Sequence, residues 1–225
     1  ILENLFSTGT RSLLGVAGGA RNQSIVLSLS NPKVFNLPIN FNLTGYYENI
    51  NYRNYSPEIV TGNTYNRELD GGYTVEDYGF NVATGTTLDK FGKVNFGFQL
   101  EKQRDYDLGK TPKDFKTVTT FFIRTLIDSK NKSNFATQGT LVDLKFESNL
   151  LTLENDVNFS KLEFLLDAYL SPAKVFTINP FVMFGLGDKT TPKAEFWGLG
   201  GQDMFYGMRE YEQIGRQIFV SSLEF

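Results

Sequence analysis

The chain has 225 residues, a net charge of −3 and neither Cys nor His. That length suits one large all-β unit or two small domains, and the missing residue types exclude disulfides, thiolate nucleophiles and imidazole bases. The acidic balance leaves no basic footprint for nucleic acid, and no apolar run approaches the ~18 residues of a membrane helix.

Apolar and polar residues alternate with period two along most of the chain, the mark of strands with two unlike faces. The pattern predicts ten strands, near 11–21, 23–35, 37–50, 73–85, 92–105, 116–128, 138–148, 158–171, 174–187 and 214–225. The first is rich in Gly and Ala and weakly patterned. In the third, Ile39, Phe41 and Leu43 alternate with Asn40, Asn42 and Thr44; in the fifth, Val94, Phe96, Phe98 and Leu100 alternate with Asn95, Gly97 and Gln99. Val142, Leu144 and Phe146 interleave with Asp143, Lys145 and Glu147, and Leu162, Phe164, Leu166 and Ala168 face away from Lys161, Glu163 and Asp167. Runs of about ten residues are what a tilted strand needs to cross a bilayer. Pro180 falls inside the ninth strand, where it cannot donate to a ladder and marks a bulge. Connections near 31–33, 84–93 and 171–173 are short, whereas 51–72, 105–115 and 188–213 are long and polar. That sorting belongs to an outer-membrane barrel. No linker or shift in composition interrupts the chain, so residues 1–225 read as a single domain.

Catalysis would have to come from carboxylates, for example Asp143 with Glu163 or Asp128 with Asp167. Such pairs are mostly solvated or salt-bridged, and neither a Gly-x-Ser-x-Gly elbow nor a P-loop is present. No catalytic residue, metal site or cofactor is assigned, and an enzyme is not expected. The aromatics Phe35, Tyr46, Tyr47, Tyr78, Phe115 and Tyr169 suit an interfacial girdle or ordinary β propensity.

The segment Gly198–Phe225 is the most informative. A Gly pair (Gly200, Gly201), three spacers, then Phe205-Tyr206-Gly207-Met208 lead into an apolar strand. This resembles the sixth-loop motif of the BamA/TamA family of bacterial outer-membrane β-barrels, where a double Gly precedes an apolar-Arg-Gly-aromatic tetrad by three residues. Three further segments resemble family motifs in the family's order. Glu3–Thr10 resembles the turn after the second strand, Ser28–Phe35 the strand-end Asn-Pro-x-aromatic sequence, and Asp128 with Thr137-Gln138-Gly139 a periplasmic turn.

The resemblance implies an all-β fold, an antiparallel transmembrane β-barrel of which this chain supplies about ten of sixteen strands. In that register residues 1–225 run from the end of strand two through strand twelve and would be truncated at both ends; an alternative makes Phe225 the true terminus. It also implies the bacterial outer membrane as location, with membrane lipid, client outer-membrane proteins and accessory assembly proteins as partners. The implied activity is insertion or translocation of other outer-membrane proteins. The implied anchors of the lumen loop are Gly200, Gly201, Tyr206, Gly207 and Arg209. Tyr206 stands where the family has the Arg that anchors the loop, a position at which patatin-linked relatives also vary, and Arg209 is the available substitute. The alternative function is a passive barrel, the anchor or pore of a patatin-type lipase or two-partner secretion transporter. A soluble β-sandwich binding module is the third reading.

Overall fold

The computed structural model describes residues 2–5, 9–34, 37–55, 59–61, 64–66, 69–88, 92–133, 135–149, 155–173, 175–201, 207–209 and 211–225. Its principal strands are β1 (Leu2–Leu5), β2 (Thr10–Gly18), β3 (Asn22–Asn31), β4 (Ile39–Tyr55), β7 (Leu69–Leu88), β8 (Gly92–Asp107), β9 (Lys116–Asp128), β10 (Gly139–Asn149), β11 (Ser160–Ala173), β12 (Phe176–Gly187) and β15 (Gln217–Glu224). Two small hairpins sit within loops: β5 (Ile59–Thr61) with β6 (Thr64–Asn66), and β13 (Trp197–Leu199) with β14 (Gln213–Gly215). Each of the ten expected strands has its counterpart, and β1 adds an eleventh. The eleven form one antiparallel sheet in chain order, β1-β2-β3-β4-β7-β8-β9-β10-β11-β12-β15. Sequential neighbours pair throughout, so every connection is a hairpin and none crosses the sheet.

The register carries the side-chain alternation across the long central runs of this sheet, and its shifts fall at strand ends, between Leu2 and Leu5, Arg53 and Tyr55, and Leu170 and Ala173. Across β3, β4, β7 and β8 one rung reads Leu29, Leu43, Val82 and Phe98, and the next reads Ser28, Thr44, Asn81 and Gln99. Across β9, β10, β11 and β12 the same holds: Ile123, Phe146, Leu162 and Leu186 on one rung, Phe122, Glu147, Lys161 and Gly187 on the next. The apolar rows stay uncovered, with Leu14 67%, Val16 72% and Phe219 70% exposed. The polar rows are the covered ones; Glu101 keeps 3% and Glu147 8% of their surface. This inverts the arrangement of a water-soluble sheet, which hides its apolar face.

The Gly- and Ala-rich β2 joins the same scheme. Leu14 and Val16 continue the apolar rows opposite Leu27 and Ile25, and Gly15 and Ala17 fall on the other face. Pro180 produces a gap in the β11–β12 ladder rather than a change of register. Asp167 pairs with Phe181 and Leu170 with Ile178, but the rungs between are open. The missing N–H is replaced locally, because the Asn179 side-chain amide donates to Ala168 O at 2.8 Å.

At one end of the sheet the connections are 6–9, 32–38, 89–91, 129–138 and 174–175; at the other they are 19–21, 56–68, 108–115, 150–159 and 188–216. The long connections gather at the second end, apart from the tight turn at 19–21 and the longer 129–138 at the first.

Candidate functional site

The described residues of the segment 188–216 (188–201, 207–209 and 211–216) fold back onto the polar face of the sheet. The segment leaves β12 through a tight set of bonds at Asp188. Its carboxylate accepts from Ser160 N at 2.8 Å, Thr190 N at 3.0 Å and the Thr190 hydroxyl at 2.8 Å. Burial is the largest single influence on Asp188 and acts to raise its pKa, but these donors together outweigh it and hold the carboxyl below its ordinary value. Gly187 N donates to Arg216 O at 2.8 Å, so the two ends of the segment are fastened together.

A single 3₁₀ turn, Lys193–Glu195, then presents its side chains to the wall. Lys161 of β11 donates to Glu195 Oε2 at 2.7 Å and lies 3.9 Å from Glu147 of β10. Burial opposes ionisation of Glu195, but the ammonium of Lys161 and the more distant Lys145 prevail, and the carboxyl is held below its ordinary value. Lys145 in turn pairs with Glu147. Deeper in the wall, Glu101 of β8 accepts from Tyr46, from Gln99 at 2.7 Å and from Gln103 at 3.3 Å. Every buried carboxylate in this group therefore has a donor, as burial of charge requires.

Two aromatic residues make the apolar part of the contact. Trp197 is buried beside Met183 and Val220, and its indole N–H donates to Glu163 Oε2 at 2.9 Å. Lys161 lies 4.8 Å from its ring centroid. The indole lies flat over Gly185 of β12, where an added Cβ would overlap the ring. Tyr211 meets Tyr52 of β4 at 5.2 Å, and Tyr52 stacks on Tyr73 of β7 at 4.8 Å. Ala194 and Ile214 pack on the same cluster of Ile50, Tyr52, Tyr73 and Val75. The segment thus touches strands from β4, through Tyr52, to β15, through Val220.

The anchors expected from the sequence lie at the tip of the segment, past β13. Gly200 has φ +122°, and a Cβ there would overlap Arg209 O. Gly201 N donates to Met208 O at 3.2 Å. Gly207 has φ +88° with open space around it, so it is the backbone and not packing that favours glycine there. The Arg209 guanidinium lies 4.1 Å from the Tyr55 ring centroid at the end of β4, and Arg21 donates to the same tyrosine's hydroxyl. Tyr206 lies outside the described residues. The structure therefore brings Gly200, Gly201 and Arg209 together, places nothing among the described residues within 4 Å of a Cβ at Gly207, and adds Glu195, Trp197 and Tyr211, which the motif did not name.

The carboxylates weighed for hydrolysis are each held by a neighbour. Asp143 accepts from Arg124 Nε at 2.8 Å, Asp167 lies 3.7 Å from Lys130 and accepts from Asn179 at 2.7 Å, and Asp128 accepts from Lys130 N at 3.0 Å.

No curated protein sequence matches the chain. Among solved structures it is similar to BamA from Haemophilus ducreyi lacking POTRA domains 1-3, with a TM-score of 0.76 at 12% identity. The likeness covers 98% of this chain and 48% of that one, so this chain spans about half the length of its structural relative. At that identity the fold is what is shared: an antiparallel β-barrel wall, apolar outside and polar within. The Omp85 superfamily domain matches residues 4–225, and the chain belongs to that superfamily.

Proposed function

We propose that this chain is barrel wall of an outer-membrane assembly factor, a protein that inserts or translocates other outer-membrane proteins. The observation that carries the reading is the fold-back of the described part of residues 188–216 onto the polar face, where an ion pair, an indole hydrogen bond and aromatic contacts fasten it to several strands. A pore built for passage has no need of a plug pinned at so many points. Membership of the Omp85 superfamily and the likeness to a BamA barrel support the same reading.

The work of such a barrel is mechanical. A client strand pairs edge to edge at an openable seam, by the backbone hydrogen bonding of strand addition. An unsatisfied backbone group in lipid costs several kcal/mol, so completing a ladder there strongly favours the client's entry. The internal loop keeps the rest of the wall in shape while one seam yields. Clients, membrane lipid and accessory assembly proteins are the partners this implies, and no cofactor enters the scheme.

The second reading, a passive anchor or pore, draws on Tyr206, which replaces the Arg of the family's loop motif. Folding assays separate the two. The full-length protein carrying this chain, reconstituted in vesicles, should accelerate folding of a urea-unfolded outer-membrane barrel over protein-free vesicles, read by heat-modifiable gel migration. Client folding at the protein-free rate, accompanied by steady ion conductance, would support the pore instead.

A further inference from the structure

The outward face carries charge at one end only. Within the paired rungs its charged residues are Arg53, Glu76, Lys102 and Arg104, on β4, β7 and β8 near the long-loop end. Glu76 is fully engaged by Arg104, with Nε at 2.8 Å and Nη2 at 2.6 Å from one oxygen. Arg104 is further stacked 4.2 Å from the Phe115 centroid, and Arg53 lies close to Tyr55. Lys102 has no ion-pair or hydrogen-bond partner among the described residues. It stands between Tyr78 on β7 and Thr117 on β9. With them and with Phe80 and Leu100 it bounds a groove of about 350 Å³.

We propose that this groove binds a membrane lipid with an anionic phosphate headgroup, the phosphate on Lys102 and an acyl chain along Phe80 and Leu100. An outward ammonium on a membrane wall is tolerated at headgroup level, where it meets counter-charge. The protein supplies none on this face: Glu76 is neutralised by Arg104, and Glu101, which also lines the groove with Tyr46 and Gly79, is only 3% exposed and already accepts from Tyr46 and Gln99. Aromatic rings mark the same level: Tyr78 and Phe115 meet edge to face at 5.1 Å and close the groove on its loop side. On the other side the surface turns apolar, with Phe80 42% and Phe96 47% exposed. A soluble anion would use the lysine alone. A lipid matches both halves of the groove, cation above and hydrocarbon below.

The test takes the full-length protein in detergent micelles and counts bound molecules by native mass spectrometry during titration with phosphatidylglycerol, phosphatidylcholine or inorganic phosphate. Phosphatidylglycerol should bind the wild type more tightly than phosphatidylcholine. Lys102→Gln should weaken the tightest phosphatidylglycerol adduct about fivefold, the effect of one lysine at an anionic surface. Lys102→Arg should retain that adduct, and Lys132→Gln, at an exposed turn on the opposite end, should leave it unchanged. Wild-type binding by Lys102→Gln overturns the proposal. So does full competition by inorganic phosphate, which would make the site one for a free anion, or a dimer of the chain that disappears with Lys102→Gln.

Discussion

Gly185 and Trp197 fit each other only because position 185 has no side chain. Gly185→Val should push the indole off the wall and break its bond to Glu163. The expected result is a red-shifted emission from Trp197, the one tryptophan of the chain, together with faster proteolysis of residues 188–216; unchanged emission would contradict the packing described. At the tip, Gly207→Val introduces a β-branched side chain at φ +88°, a strain of about 1–3 kcal/mol, and Arg209→Ala removes the stack on Tyr55. Combined, they should lower the temperature at which the full-length barrel unfolds and slow client assembly. Normal stability and normal assembly in that double variant would remove the bracing role from the tip. The glycines and Arg209 were legible in the sequence because their spacing is local. Glu195 was not, since its partner Lys161 lies on a separate strand and no local pattern records that meeting. Trp197 had one signal, a lone tryptophan in a polar stretch.

The segment 188–216 behaves as an element because its contacts are distributed, and the Glu195–Lys161 pair is the one most open to titration. The two side chains keep 18% and 12% of their surface. Breaking the pair should therefore cost more than the ~0.5 kcal/mol of an exposed pair and less than the ~3–5 kcal/mol of a fully buried one. Glu195→Gln is expected near the middle of that interval, about 2 kcal/mol, because Lys161 retains Glu147 nearby. The pH dependence has a definite sign. Glu195 sits below its ordinary value of 4.5 when the segment is docked, so its stabilisation is complete above that value and fades as pH falls through the depressed one. Limited proteolysis should find the segment increasingly open below pH 4.5 in the wild type, with a weaker dependence in Glu195→Gln; equal pH profiles would contradict the pairing. Strand positions were legible wherever period two persists. β4 and β7 extend past their expected bounds because Asn51–Tyr55 and Leu69–Gly72 read as polar loop, and only the partner strand across the ladder makes them strand. The bulge expected at Pro180 is instead a gap, closed by a side-chain amide that no propensity rule anticipates.

For the molecule as a whole, the central claim is that two unlike faces run around one continuous antiparallel wall: lipid outside, ion pairs and a folded-in loop inside. The alternation that announced this was visible in the sequence, and the meander follows from it, since hairpins between neighbours are the simplest way to keep all faces in phase. What the sequence could not supply was the loop's route across the wall, which depends on contacts far apart in the chain. The most direct test exploits the absence of cysteine. Single cysteines at Leu27, Ser28, Leu144 and Lys145 of the full-length protein, each labelled with an environment-sensitive fluorophore, are reconstituted in vesicles containing brominated lipid. Labels at 27 and 144 should be quenched by the lipid, and those at 28 and 145 should be spared. Equal quenching at neighbouring positions, or stronger quenching at 28 and 145, would contradict the account.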